Sequence, residues 1–196
     1  MRSEPTILAF DTSAAHCAAA LLQNGKIVVS RAELMSRGQA ERLMPLLEEL
    51  LGEGNCSWQD LNAIGVGIGP GNFTGIRISV SAARGLSLGL SIPAVGVSGF
   101  DAVAQLAPKN HLPAISAPRD QVYLKLTDGE ARLISRQHAE SLGPLYLCDQ
   151  PDRQVCAIAR LASHRCAVTN VPPAPLYVRP ADAAPSRDIP PVLLDE

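Results

Sequence analysis

Residues 67–80 read GIGPGNFTGIRISV, and a glycine-rich turn running into a helix is a common cradle for phosphate. The spacing argues against that chemistry. A P-loop needs GxxxxGK followed by Ser or Thr, so that Lys reaches the terminal phosphates and the hydroxyl ligates magnesium. This stretch has no Lys, and the Gly25-Lys26 pair falls in a predicted hairpin turn. The dinucleotide pattern GxGxxG fails too, because Asn72 and Thr74 stand where the third glycine is required. Pro70 removes one of the backbone donors on which a phosphate cradle depends. The residue types instead predict a tight turn and helix start built from Gly69, Pro70, Gly71, Asn72, Thr74 and Gly75, with Asn72 or Thr74 as N-cap. Metal chemistry has no better footing. His16, His111, His138 and His164 show no HxxxH or HExxH spacing, and no CxxC pair occurs among the five cysteines, which are expected to be buried small apolar residues.

Charge narrows the classes further. The chain has 17 Lys and Arg against 19 Asp and Glu, a net charge of −2, and no basic run or aromatic-interleaved basic stripe. A polyanion binder needs clustered cations to displace counterions, so this chain by itself is expected to bind nucleic acid poorly. No apolar run approaches the length of a membrane span, and nothing ahead of TILAFDTS has the pattern of a secretory leader. The expected compartment is the cytoplasm, with no membrane partner.

The elements that must position these residues follow from periodicity. ILAF at 7–10 is a short apolar strand ending in Asp11-Thr12-Ser13. Asn24-Gly25 lies between two apolar runs and tolerates the positive φ of a type I′ turn, so three meandering strands open the chain. A helix follows, with Ala40, Leu43, Met44, Leu47, Leu50 and Leu51 at helical spacing. Ser36 and Gln39 fit a capping box at its start. Pro45 either marks a later helix start or kinks the helix. Strands at 61–69 and 92–97 bracket a second helix from Gly75 to about Leu90, and Ser98 caps a third. Beyond residue 106 the pattern thins to LPAIS, a hairpin turning at Asp128-Gly129, and VCAIARLASH as a short helix or strand. Seven of the sixteen prolines fall in the last 26 residues, so the tail is extended and either lies on the body or stays loose. The expected organisation is α/β, with one lobe at 1–106 and a smaller, partly irregular one at 107–196.

The second helix is apolar or small around most of its circumference. Ile76, Val80, Ala83 and Ser87 lie on one side, and Ile78, Ala82, Leu86 and Gly89 on another. A surface helix normally carries one such stripe, so burial on both sides is predicted, one side against a partner. The partner face is expected to use Ala40, Leu43, Met44 and Leu47 of the first helix and Ile76, Arg77, Val80 and Ala83 of the second. Small residues at Gly75, Ser79, Ala83 and Gly85 are expected to admit a close helix neighbour.

ILAFDTS, GQAERLMPLLEELL, GVGIGPGNFTGIRISVSAARGLSLGL, IPAVGVS and PLYVRPADA together resemble the TsaB family, bacterial subunits in synthesis of threonylcarbamoyladenosine beside the tRNA anticodon. The resemblance covers most of 6–106 and fragments beyond. It implies an actin- and sugar-kinase-like fold of two RNase-H-like lobes, the second reduced. It implies a non-catalytic subunit that pairs with the transferase TsaD, is joined by the ATPase TsaE, and meets tRNA only through the assembly. TsaC supplies threonylcarbamoyl-adenylate. ATP and metal are expected on TsaD and TsaE, with no cofactor or metal held by this chain alone, and a homodimer through the same helices is the alternative pairing. Asp11 and Thr12 stand where the related ATPases place an aspartate beside metal and phosphates, so they are either a vestigial nucleotide site or an Asx-type turn closing a strand. The competing functions are an ATPase or kinase working through Asp11, and a metallopeptidase. The chain departs from many relatives at Gln39-Ala40-Glu41, where they have His-Ser-Glu, and at Ser116-Ala117-Pro118, where they have Asp-Ala-Arg.

Overall fold

In the computed structural model, which describes residues 4–125, 129–169 and 171–178, the N-terminal meander is formed by β1 (Ile7–Asp11), β2 (His16–Gln23) and β3 (Lys26–Leu34). Asn24 and Gly25 turn the hairpin with φ of 50° and 72°, the left-handed values a type I′ turn demands. After α1 (Gln39–Glu53), β4 (Ala63–Gly67) pairs parallel to β1; after α2 (Phe73–Leu90), β5 (Ala94–Val97) pairs parallel to β4. The sheet order is β3-β2-β1-β4-β5, an RNase-H-like arrangement.

Strand β1 is buried on both faces, which is why it reads as an unbroken apolar run. Leu8 and Phe10 point to the side covered by α1 and α2, where they meet Leu43, Leu46, Leu47 and Leu50. Ile7 and Ala9 point to the other side. That side is closed by α3 (Gly99–Ala104) and α5 (Pro151–Arg165), whose Val155, Ile158 and Ala162 sit in the same core. The lining there is rich in alanine, and Gly65 lies so close to Ala162 and Ala9 that even a methyl group would crowd them. Small side chains thus let α5 lie close on the sheet.

The second sheet repeats the first in shortened form. Strands β6 (Leu112–Ala117), β7 (Gln121–Lys125) and β8 (Ala131–Ser135) meander, α4 (Arg136–Leu142) crosses over, and β9 (Leu145–Leu147) returns parallel to β6. Its order β8-β7-β6-β9 matches four of the five positions of the first sheet, so the second lobe is reduced by a strand. VCAIARLASH is helix and belongs to α5. A boundary at 106/107 therefore does not divide the core: α5 follows the second sheet in sequence but covers the first in space. Asp128 of the expected hairpin turn lies outside the described residues, as does the tail beyond Val178.

The start of α1 also departs from expectation. Gly38, at φ 88°, precedes the helix without a side-chain cap, and Gln39 Nε2 donates to the Met35 carbonyl at 3.1 Å, so Ser36 and Gln39 form no capping box. Pro45 sits inside α1 without ending it; both Pro45 and Glu41, whose carbonyl lacks the N–H four residues on, are exposed to water. An ionic network ties α1 to β3, with Arg42 donating to Glu33 and Glu49 and Arg31 to Glu49 and Glu53.

Candidate functional site

The loop between β4 and α2 is held against the end of β1. Asn72 caps α2, its Oδ1 accepting from the Gly75 N–H at 2.9 Å, and the Asn72 N–H donates to the Ser13 carbonyl at 2.6 Å. Gly71 and Gly75 make this approach feasible. A Cβ on Gly71 would overlap the Ser13 carbonyl oxygen and one on Gly75 the Thr12 carbonyl oxygen, and backbone atoms cannot swing aside. Gly69 serves differently: its φ of +93° is the left-handed conformation that turns the chain into Pro70. Thr74 is exposed and takes no part in capping.

Asp11 and Thr12 are buried in this junction and turned inward. Asp11 Oδ1 accepts from the Ser13 N–H at 2.9 Å, an Asx turn, and its Oδ2 accepts from Ser13 Oγ at 3.0 Å. His16 Nε2 lies 3.4 Å from the same oxygen. Burial pushes the Asp11 carboxyl up, but the His16 hydrogen bond and charge and the two Ser13 donors outweigh it, leaving Asp11 below its ordinary value. Thr12 Oγ1 donates to the Gly75 carbonyl at 2.7 Å. Both side chains are engaged in closing the strand end. No group of three metal-ligating side chains occurs among the described residues.

Beside this junction a cleft of about 860 Å³ opens between the two sheets, with Ser13, His16, Phe73, Ile115, Tyr123 and Gln154 among its lining. Among the described residues that line it there is neither Lys nor Arg, so the cleft offers no cationic clamp for phosphates. The strap at 171–178 runs past its mouth. The Leu176 N–H donates to the Ile68 carbonyl at 2.8 Å, Tyr177 stacks on Phe73 with ring centroids 4.9 Å apart, and Arg77 lies 3.9 Å over the Phe73 ring while its Nε donates to Tyr177 Oη at 3.0 Å.

Residues expected on one partner face are split by the fold. Ala40, Met44 and Arg77 are exposed. Leu43, Leu47, Ile76, Val80 and Ala83 are buried in the chain's own core, none more than 4% exposed, so they are corrected from partner-facing to sheet-facing. The reason is the helical period: Ile76, Val80 and Ala83 share the inner stripe with Gly75 and Ser79, and Ser79 Oγ donates to the Gly67 carbonyl at 3.2 Å. The outward stripe is Arg77, Ser81, Arg84 and Leu88, at spacings of four, three and four residues. Its two arginines were the sequence signal for that face. Gly85 and Gly89 adjoin it, with open space where a Cβ would stand, and Leu88 is 83% exposed. Of the five cysteines only Cys17 is fully buried, its thiol pushed up to about 11 by burial; the other four are half-buried, and all are free.

The family pattern for TsaD, tRNA N6-adenosine threonylcarbamoyltransferase, matches residues 26–174, from β3 through α5 into the strap. The chain belongs to the TsaD family. Its curated relatives include TsaB proteins of tRNA threonylcarbamoyladenosine biosynthesis. That of Escherichia coli is 38% identical over 122 residues, covering 60% of this chain and 52% of that protein. That of Haemophilus influenzae is 35% identical over 123 residues, with the same 60% and 52% coverage. This chain thus aligns with about half the length of those relatives. The solved structure of YeaZ from Pseudomonas aeruginosa superposes with a TM-score of 0.64 at 29% identity, covering 82% of this chain and 93% of that one. TsaB resemblance and two-sheet architecture therefore agree. For a TsaD-family chain, the notable local features are a strand-end aspartate engaged by its own turn and an α2 face left open to solvent.

Proposed function

We propose that this chain is a non-catalytic partner subunit that docks on TsaD and activates it for threonylcarbamoyl transfer to tRNA. The observation that carries this reading is the outward face of α2, which combines an 83%-exposed leucine, two open glycines and no acidic residue. A face that sets an exposed leucine and open glycines among two arginines is suited to burial by another protein. The engaged Asp11 carboxylate and the cleft without Lys or Arg support assigning ATP and metal to TsaD and to the ATPase TsaE, and contact with tRNA to the assembly. No helix among the described residues is long and apolar enough to cross a membrane; the proposed compartment is the cytoplasm.

The test is to mix the chain with TsaD from the same organism and follow elution and binding heat. A one-to-one complex is expected, with no ATP turnover by this chain alone. Leu88→Asp is expected to lose the complex while shifting stability by only about 0.5 kcal/mol, because its site is exposed. Val80→Asp is expected to unfold the domain instead, since desolvating an unpaired charge costs several kcal/mol. Separate elution of the two wild-type proteins would sink the reading. ATP turnover by the isolated chain that disappears in Asp11→Asn would replace it with an independent ATPase.

A further inference from the structure

A second concavity, of about 610 Å³, lies between the C-terminal half of α2 and the strap. One wall is Arg84, Gly85 and Leu88, the other is Val171, Pro172 and Pro173. Both walls offer apolar surface to solvent, with Leu88 83% and Val171 76% exposed. Pro172 and Pro173 have no backbone N–H, so this wall cannot extend a sheet and the groove is suited to side chains rather than an added strand. Charge defines the occupant further. Neither α2 nor the strap at 171–178 contains an acidic residue, and among the described residues Arg84 has no carboxylate partner of its own chain.

We infer that the docking surface is composite, made by α2 and the strap together, and that this groove receives an amphipathic helix of the partner protein whose apolar side chains fit between Leu88 and Val171 and whose carboxylate meets Arg84. This rests on the docking function proposed above. Gly85 lets the helix backbone come close, and the arginine selects for an acidic group. A second copy fits less well, because α2 against α2 sets arginines against arginines with no acid on either helix.

The test measures affinity for TsaD with Val171→Asp, Arg84→Glu and Arg84→Lys, alongside Leu88→Asp and the wild type. Both wall residues are exposed, so thermal unfolding of each variant is expected to match the wild type. Val171→Asp and Arg84→Glu are each expected to weaken the complex about tenfold or more, Arg84→Lys to retain most of the binding, and added salt to weaken the wild-type complex. If the wild type forms no complex, the docking function itself fails. If Leu88→Asp abolishes binding while Val171→Asp and Arg84→Glu leave it unchanged, docking stands and the composite groove is overturned. If the two wall variants alter self-association and not the complex, the groove belongs to a homodimer and the inference is likewise overturned.

Discussion

Asp11 ends β1 with its carboxylate held by the Ser13 N–H and hydroxyl and by His16, an arrangement that favours the ionised form despite burial. The folded value lies below the ordinary 3.8. Ionised Asp11 therefore contributes stability that is fully present above the unfolded value and is lost as pH falls through the lower folded one. Chemical unfolding measured in steps from about pH 6 to about pH 2 is expected to show an acid limb that is shallower in Asp11→Asn. At neutral pH the same substitution is expected to cost about 1–3 kcal/mol, because the amide keeps a Ser13 contact but loses the charge. An acid limb identical in the two proteins would mean that other carboxylates carry it. Glu33 and Glu49 are also lowered, through Arg42, but both are largely solvated.

Helix α2 shows why glycines in one element have opposite consequences. Gly75 faces the Thr12 carbonyl, and a Cβ there has no room, whereas at Gly85 it meets open space. Gly75→Ala is expected to destabilise by about 3 kcal/mol or more, since the obstacle is backbone. Gly85→Ala is expected to stabilise by about 0.5–1 kcal/mol, because it removes backbone entropy from an exposed helix interior. Thermal unfolding of the pair checks both signs. The contrast also marks what was legible in the sequence. The meander, the Asn24-Gly25 hairpin, the Ser98 cap, whose Oγ accepts from the Asp101 N–H at 3.1 Å, and the failed phosphate pattern rest on local chemistry, so they were readable. The choice between Asn72 and Thr74 as the cap of α2 was not. Nor was the face of α2. With apolar or small residues nearly all round, Val80 and Ile78 look alike until the sheet is in place, and only Arg77 and Arg84 mark the solvent side. The capping box at Ser36 failed because the left-handed Gly38 starts the helix two residues later, a backbone choice the pattern does not record.

At the scale of the whole molecule, the crossing of α5 to the first sheet decides what folds together. Composition and periodicity placed a boundary near residue 106, because the pattern lapses there; nothing in the run VCAIARLASH says which sheet it will cover. In the fold, Val155, Ile158 and Leu161 close the face of the first sheet that carries Ile7, Ala9, Ala18 and Ala20. Burying three such side chains is worth about 5 kcal/mol or more, comparable with the whole stability of many domains. A fragment of residues 1–106 is therefore expected to lack a cooperative thermal transition and to bind a hydrophobic dye. Adding the fragment 107–196, which carries α5, is expected to restore the transition and expel the dye. A cooperative melt of the 1–106 fragment alone would show that α3 and the remaining sheet contacts suffice, and would make α5 a tether between lobes rather than part of the first lobe's core.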